Sequence, residues 1–166
     1  AYREVIRCKT ALLFEAASHT GALLACQGNA AICEERIEAM RLFGLHFGMA
    51  YQLLDDWLDY RGDSKSMGKN VGDDLAEGKL TLPLIHALQN AATDDKAGVR
   101  DAIENKTVAA LPSILRIVDK CGGLDYTRAC AKKEIETALQ CLEQIPDNDY
   151  RAALVQLSHY SLSRLG

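Results

Sequence analysis

The sequence contains no C-x-x-C pair and no cysteine at a zinc-binding distance from a histidine, although it holds six cysteines and four histidines. That excludes the common structural zinc sites. No run of 18 apolar residues occurs, so no segment reads as a membrane-spanning helix. Prolines number only three, and apolar–polar alternation never persists beyond about four positions, which leaves no strand pattern. There is no basic run or basic patch interleaved with aromatics, and the net charge is −4; nucleic acid is therefore excluded as the main partner. The opening Ala1-Tyr2-Arg3-Glu4-Val5-Ile6-Arg7 is too polar to be a signal peptide. No internal repeat and no low-complexity tract is present.

What is present is 166 residues, 48% of them apolar. This suffices for one domain, or part of one, with a real core. Cys8, Cys26, Cys33, Cys121, Cys130 and Cys141 fall mostly at core-like positions, where a thiol acts as a small hydrophobe. The expectation is a reducing, cytoplasmic compartment.

The chain reads as all-α. Arg3 to about Ala17 forms a helix on Val5, Ile6, Leu12, Leu13 and Phe14, and Gly21 and Gly28 bracket a short second one. Ala31 to Tyr60 is one long helix of roughly 45 Å; within it Gly44 and Gly48 mark the close approach of a neighbouring helix. Arg61 to Ala76 is polar and glycine-rich, a loop. Helices follow from Thr81 to about Ala91, with Pro83 in the first turn, from Asp94 to Asn105, and from Val108 to Cys121. Gly122-Gly123 is a stop. Leu124 to Ile145 and a last helix capped by Asp147 complete the chain.

The chemistry concentrates in Gln52-Leu53-Leu54-Asp55-Asp56-Trp57-Leu58-Asp59. Asp55 and Asp59 lie one helical turn apart on the same face, with Asp56 one step round. Such a set could belong to a solvated helix face or a helix end. Here, however, Leu53, Leu54, Trp57 and Leu58 make the helix apolar nearly all round, hence buried. Three buried like charges call for a cation, and hard oxygen donors without His or Cys point to Mg²⁺. Mg²⁺ commonly shares its shell with phosphates, and Lys69 and Lys79, in the glycine-rich stretch that follows, suit the same phosphates. Asp73-Asp74 has no third carboxylate four or five residues on, and Asp94-Asp95 reads as a surface turn.

Three ordered blocks carry a family resemblance: Lys9-Thr10-Ala11 with Leu13-Phe14-Glu15-Ala16; Gly48 with Ala50-Tyr51-Gln52-Leu53-Leu54-Asp55-Asp56 and Leu58-Asp59; and Gly68-Lys69-Asn70 with Gly72-Asp73-Asp74-Leu75, Glu77-Gly78-Lys79 and Thr81-Leu82-Pro83. They resemble the all-trans polyprenyl diphosphate synthases, and among these the bacterial long-chain members that make octaprenyl diphosphate. The likeness runs over essentially the whole chain, through Gly122-Gly123-Leu124-Asp125-Tyr126-Thr127-Arg128. Tyr51 stands where the family more often has Phe. These synthases carry two aspartate-rich motifs, and Asp55-Asp56-Trp57-Leu58-Asp59 is similar to the second; no other is found here. The resemblance thus implies the C-terminal half of an isoprenoid-synthase-type helical bundle. Residues 1–166 would form the C-terminal portion of one synthase domain, inactive alone, without the first motif and the isopentenyl diphosphate site.

The implied reaction condenses an allylic prenyl diphosphate with isopentenyl diphosphate, giving long all-trans chains for quinones. Product length is not legible, since the family sets it near the first motif. In the implied assignment Asp55, Asp56 and Asp59 hold Mg²⁺, while Lys9, Lys69 and Lys79 meet the diphosphate. Thr10 and Gln52 present neutral oxygens to the allylic cation; a Thr10 hydroxyl bonded to its own helix backbone is the competing reading. The departing diphosphate, not a side chain, takes the final proton. The segment from Arg61 to Ala76 is expected to close as a lid. A homodimer, and a peripheral membrane contact for product release, are further implications. A non-catalytic partner of a heteromeric synthase is the alternative, and the intact Asp and Lys set favours the enzyme.

Overall fold

The computed structural model describes residues 1–26, 30–61 and 72–164, and among them every regular element is helical. The order is α1 (Tyr2–Ile6), a π-helical turn (Arg7–Ala11), α2 (Leu12–Ala25), α3 (Ala30–Arg61), α4 (Asp73–Ala76), α5 (Leu82–Asn90), α6 (Thr93–Glu104), a 3₁₀ turn (Val108–Ala110), α7 (Leu111–Lys120), α8 (Gly123–Leu142) and α9 (Asp149–Ser163). The all-α expectation holds. No described helix is long and apolar enough to cross a membrane.

The chain forms two compact units. One comprises Ala1, Arg3–Gln52 and Cys130–Gly166; the other comprises Tyr2 and Leu53–Ala129. The first has a core of Phe43, Phe47 and Ala50 from α3 against Ile135, Ala138 and Leu142 from α8. Both triplets recur at helical spacing, so each helix turns one stripe inward. Phe14, Leu154, Val155 and Leu162 pack onto that core. The two α3 glycines have a steric reason. A Cβ on Gly48 would lie 2.7 Å from the Cα of Ala11, and one on Gly44 would collide with the carbonyl of Phe14. A helix can cross so closely only where side chains are missing, as the sequence spacing predicts.

An ion cluster centred on a buried carboxylate also belongs to this unit. Glu134, 6% exposed, accepts a hydrogen bond from Arg3 and pairs with His46 Nδ1 at 2.8 Å. Burial pushes its carboxyl up, but the hydrogen bonds from His46 and Arg3 outweigh this and hold it below the usual value. A depressed carboxyl contributes stability above its unfolded pKa, and that contribution is lost as pH falls through the folded value. The native protein is therefore expected to lose stability below about pH 4.3, and Glu134→Gln to flatten that part of the acid-unfolding curve. Thermal melts between pH 3 and 7 read this. Identical acid limbs in the two proteins would contradict it.

The second unit packs Leu53, Leu75, Leu84, Val99, Ala102, Ile114 and Val118, all nearly inaccessible. Gly122 has φ +70° and separates α7 from α8, as the stop signal predicts. A Cβ on Gly123 would lie 2.9 Å from the carbonyl oxygen of Pro83, so α8 starts against the first turn of α5.

Three sequence expectations are corrected. The first helix does not end near Ala17: α2 runs through Gly21 to Ala25, because one helical glycine costs about 1 kcal/mol and does not by itself stop a helix. The last helix is capped by Asn148, whose side chain accepts from the Arg151 amide at 2.9 Å, not by Asp147, which instead meets the Arg151 guanidinium at 3.3 Å. The cysteines do not mostly lie in the core, although Cys141 packs against it. Cys8 is exposed and Cys121, Cys130 and Cys141 are only partly buried, while Cys26 and Cys33 are joined in a disulfide with Cα atoms 5.5 Å apart. The end of α2 and the start of α3 bring those two together, which spacing alone does not reveal. The cysteines thus carry no argument for a reducing compartment. Of the stretch expected as a lid, residues 62–71, Lys69 among them, lie outside the described residues, and Asp73–Ala76 forms a helical turn.

Candidate functional site

The aspartates occupy the last turns of α3, within the second unit. Leu53, Leu54, Trp57, Leu58 and Tyr60 are all buried there, so this end of the helix is enclosed on most sides. Asp55 and Asp59 are partly exposed on one face. Asp56 is only 3% exposed, and its Oδ2 accepts a hydrogen bond from the Tyr2 hydroxyl. The sequence spacing thus separates two accessible carboxylates from an inaccessible one.

Asp59 is the electrostatic centre. Its Oδ2 accepts from the Asp74 amide at 3.3 Å, and its backbone carbonyl accepts from the Gly72 amide at 3.0 Å. Burial, then the charge of Asp74, pushes its carboxyl up to about 6; the Asp74 amide works the other way, and Asp73 and Asp55 add further repulsion. Three carboxylates therefore bear on Asp59. Sequence reasoning left Asp73 and Asp74 out because no third carboxylate follows them at motif spacing. The signal that could have found them is Gly72. It has φ +88°, a left-handed conformation that favours glycine, and a Cβ there would lie 2.6 Å from Leu111 Cδ2. Gly72 is the N-cap of α4, and its amide and that of Asp74 both bond to Asp59.

Lys79 sits at the margin of this group. Its ammonium contacts Asp74 at 3.0 Å and Glu77 at 2.7 Å. The hydrogen bond to Glu77, then that to Asp74, raises its pKa, so it is fully charged. Tyr60, next to Asp59, shares a buried hydrogen bond of 2.9 Å with Thr81 and ties the end of α3 to the start of α5.

In the first unit, Thr10 Oγ1 donates to Gln52 Oε1 at 2.7 Å, and Gln52 is 7% exposed. The Thr10 hydroxyl thus reaches a side chain on α3 in addition to anything it offers its own helix. Lys9 and Thr10 lie in the π-helical turn Arg7–Ala11, a rare geometry that recurs at functional sites. Lys9 is exposed. Gln52 precedes Asp55 and Asp56 by about one turn of the same helix.

The donors fit a hard divalent cation: several partly exposed carboxylates, mutually repelling, with neither thiolate nor imidazole among them. Among the described residues, no three His, Cys, Asp or Glu side chains already converge into a metal cage.

Comparison with known proteins agrees with the motifs. A family model described as polyprenyl synthetase matches residues 1–118. The chain is 43% identical over 164 residues to the all-trans-nonaprenyl-diphosphate synthase (geranyl-diphosphate specific) of Rhodobacter capsulatus, covering 99% of this chain and 49% of that protein. It is 41% identical over 165 residues to the octaprenyl diphosphate synthase of Escherichia coli K12, covering 98% and 49%. Its fold superposes with TM-score 0.87 on the crystal structure of a polyprenyl synthase from Caulobacter crescentus CB15 complexed with calcium and isoprenyl diphosphate. There the identity is 38%, and the match covers 99% of this chain and 49% of that one. The chain thus spans about half the length of these relatives.

Proposed function

As this chain belongs to the polyprenyl synthetase family, we propose that its acidic site handles prenyl diphosphates in the native protein. The reaction would extend an allylic diphosphate with isopentenyl diphosphate into a long all-trans polyprenyl diphosphate of the quinone side-chain class. The observation that carries this reading is the meeting of Asp59 with Asp74 and its neighbours beside a charged Lys79. Carboxylates crowded until one is pushed up to about 6 favour a cation among them. A nearby ammonium favours the anion that would come with it.

In this reading Asp55, Asp56 and Asp59 hold Mg²⁺, one or two carboxylates to an ion. When bound, Mg²⁺ would supply Lewis-acid neutralisation of the diphosphate leaving group. Lys9, Lys69 and Lys79 would add point charges toward the same diphosphate. Lys79 would exchange its present carboxylate partners for phosphate oxygens, which its flexible stem allows. The Thr10–Gln52 pair holds neutral oxygens in a fixed array, and such dipoles stabilise positive charge without attacking it. The buried Leu53, Leu54, Trp57 and Leu58 would keep water from the allylic cation. No side chain is needed as a base, since the departing diphosphate can take the proton. A cytoplasmic homodimer that releases its product at a membrane surface completes the proposal.

The test is turnover by the native protein with farnesyl and isopentenyl diphosphates, read by product mass. Products lengthened in five-carbon steps are expected with Mg²⁺, and none after chelation by EDTA. Absence of any elongation in saturating Mg²⁺ would overturn the reading.

A further inference from the structure

We propose that Tyr2 is a positioning residue for Asp56: its hydroxyl fixes one carboxylate oxygen and so sets how the aspartate cluster meets a divalent cation. This rests on the reading of Asp55, Asp56 and Asp59 as the cation site.

Asp56 differs from Asp55 and Asp59 in having almost no access to water, at 3% exposure, and Leu53, Trp57 and Leu58 on the same turns of the helix are also buried. A polar side chain in such a place needs donors to replace the water it has lost. Tyr2 provides one across a separation of 54 residues. A phenol carries its donor oxygen at a point set by only two side-chain torsions.

The consequence is a division of labour. Asp55 and Asp59 are partly exposed and can adjust to an ion. Asp56 is pinned and keeps the end of the constellation in one geometry. Groups that orient a ligand in this way change metal affinity by about 10–100-fold when removed. Nothing about Tyr2 in the sequence shows this role, because the contact is distant and Tyr2 lies outside every aspartate or lysine motif.

The experiment is calorimetric titration of Mg²⁺ into the native protein, with kinetics across a Mg²⁺ series. Tyr2→Phe removes the hydroxyl and keeps the ring. It is expected to raise the Kd for Mg²⁺ by about tenfold or more, while kcat at saturating Mg²⁺ stays within about threefold of wild type. In an Asp56→Ala background, which leaves no acceptor for the Tyr2 hydroxyl, the same change should add much less than in wild type, since the two share this contact. A Kd within about twofold of wild type for Tyr2→Phe, or full additivity with Asp56→Ala, would overturn the proposal. If wild type binds Mg²⁺, Asp55→Ala does not, and Tyr2→Phe binds normally, only the role of Tyr2 fails. If the wild type binds no Mg²⁺, the cation site fails and the role of Tyr2 with it.

Discussion

Asp55→Ala in the native protein is expected to lower kcat for chain extension by roughly a thousandfold, the scale of losing one preorganised electrostatic group, while the fold survives. Asp55 is partly exposed, so its truncation opens no core cavity. It is also one of the charges that push the Asp59 carboxyl up, so its removal relieves repulsion when no metal is bound. Activity and stability should therefore part company: turnover collapses while the thermal midpoint holds or rises slightly. Steady-state kinetics and a melting curve on the same preparation check both halves. A kcat within about threefold of wild type would remove Asp55 from the site.

The second large effect is on the fold. Gly48→Ala should destabilise the native protein by about 2 kcal/mol, read as a lower thermal midpoint. The added methyl group would lie 2.7 Å from the Cα of Ala11 and 3.0 Å from Phe14 Cβ. Backbone cannot swing aside as a side chain tip can, so the π-helical turn itself must shift. That turn carries Thr10, whose hydroxyl holds Gln52, so activity should fall beyond what the lost stability explains. Gly21→Ala is the matching control. A Cβ there meets nothing within 4 Å, and alanine should stabilise α2 by about 0.5–1 kcal/mol. Equal melting curves for Gly48→Ala and wild type would show that the crossing of α2 and α3 is looser than described.

Much of this was legible because it is periodic or local. Apolar residues at helical spacing gave the long α3 and its buried face. The pair Gly44 and Gly48 announced a close crossing, and Gly122 announced a stop. Asp55, Asp56 and Asp59 stand out as candidates because their spacing is itself a pattern. What was not legible depends on contacts between distant segments. Asp74 meets Asp59 across 15 residues, and Tyr2 reaches Asp56 across 54 residues. The Cys26–Cys33 bridge and the exposure of the other cysteines remove an argument from composition, since a small sulfur-bearing residue fits core and surface alike. The cap at Asn148 was misplaced by one residue, because Asp147 and Asn148 are both good cap formers and only the backbone decides between them.

The central claim is that the carboxylates at the end of α3 hold a divalent cation that in turn carries a diphosphate. Calorimetric binding of inorganic diphosphate to the native protein, with Mg²⁺ and with EDTA, tests it most directly. Binding should require Mg²⁺ and disappear in Asp55→Ala. Equal affinity with and without Mg²⁺, or undiminished Mg²⁺-dependent binding by Asp55→Ala, would contradict it.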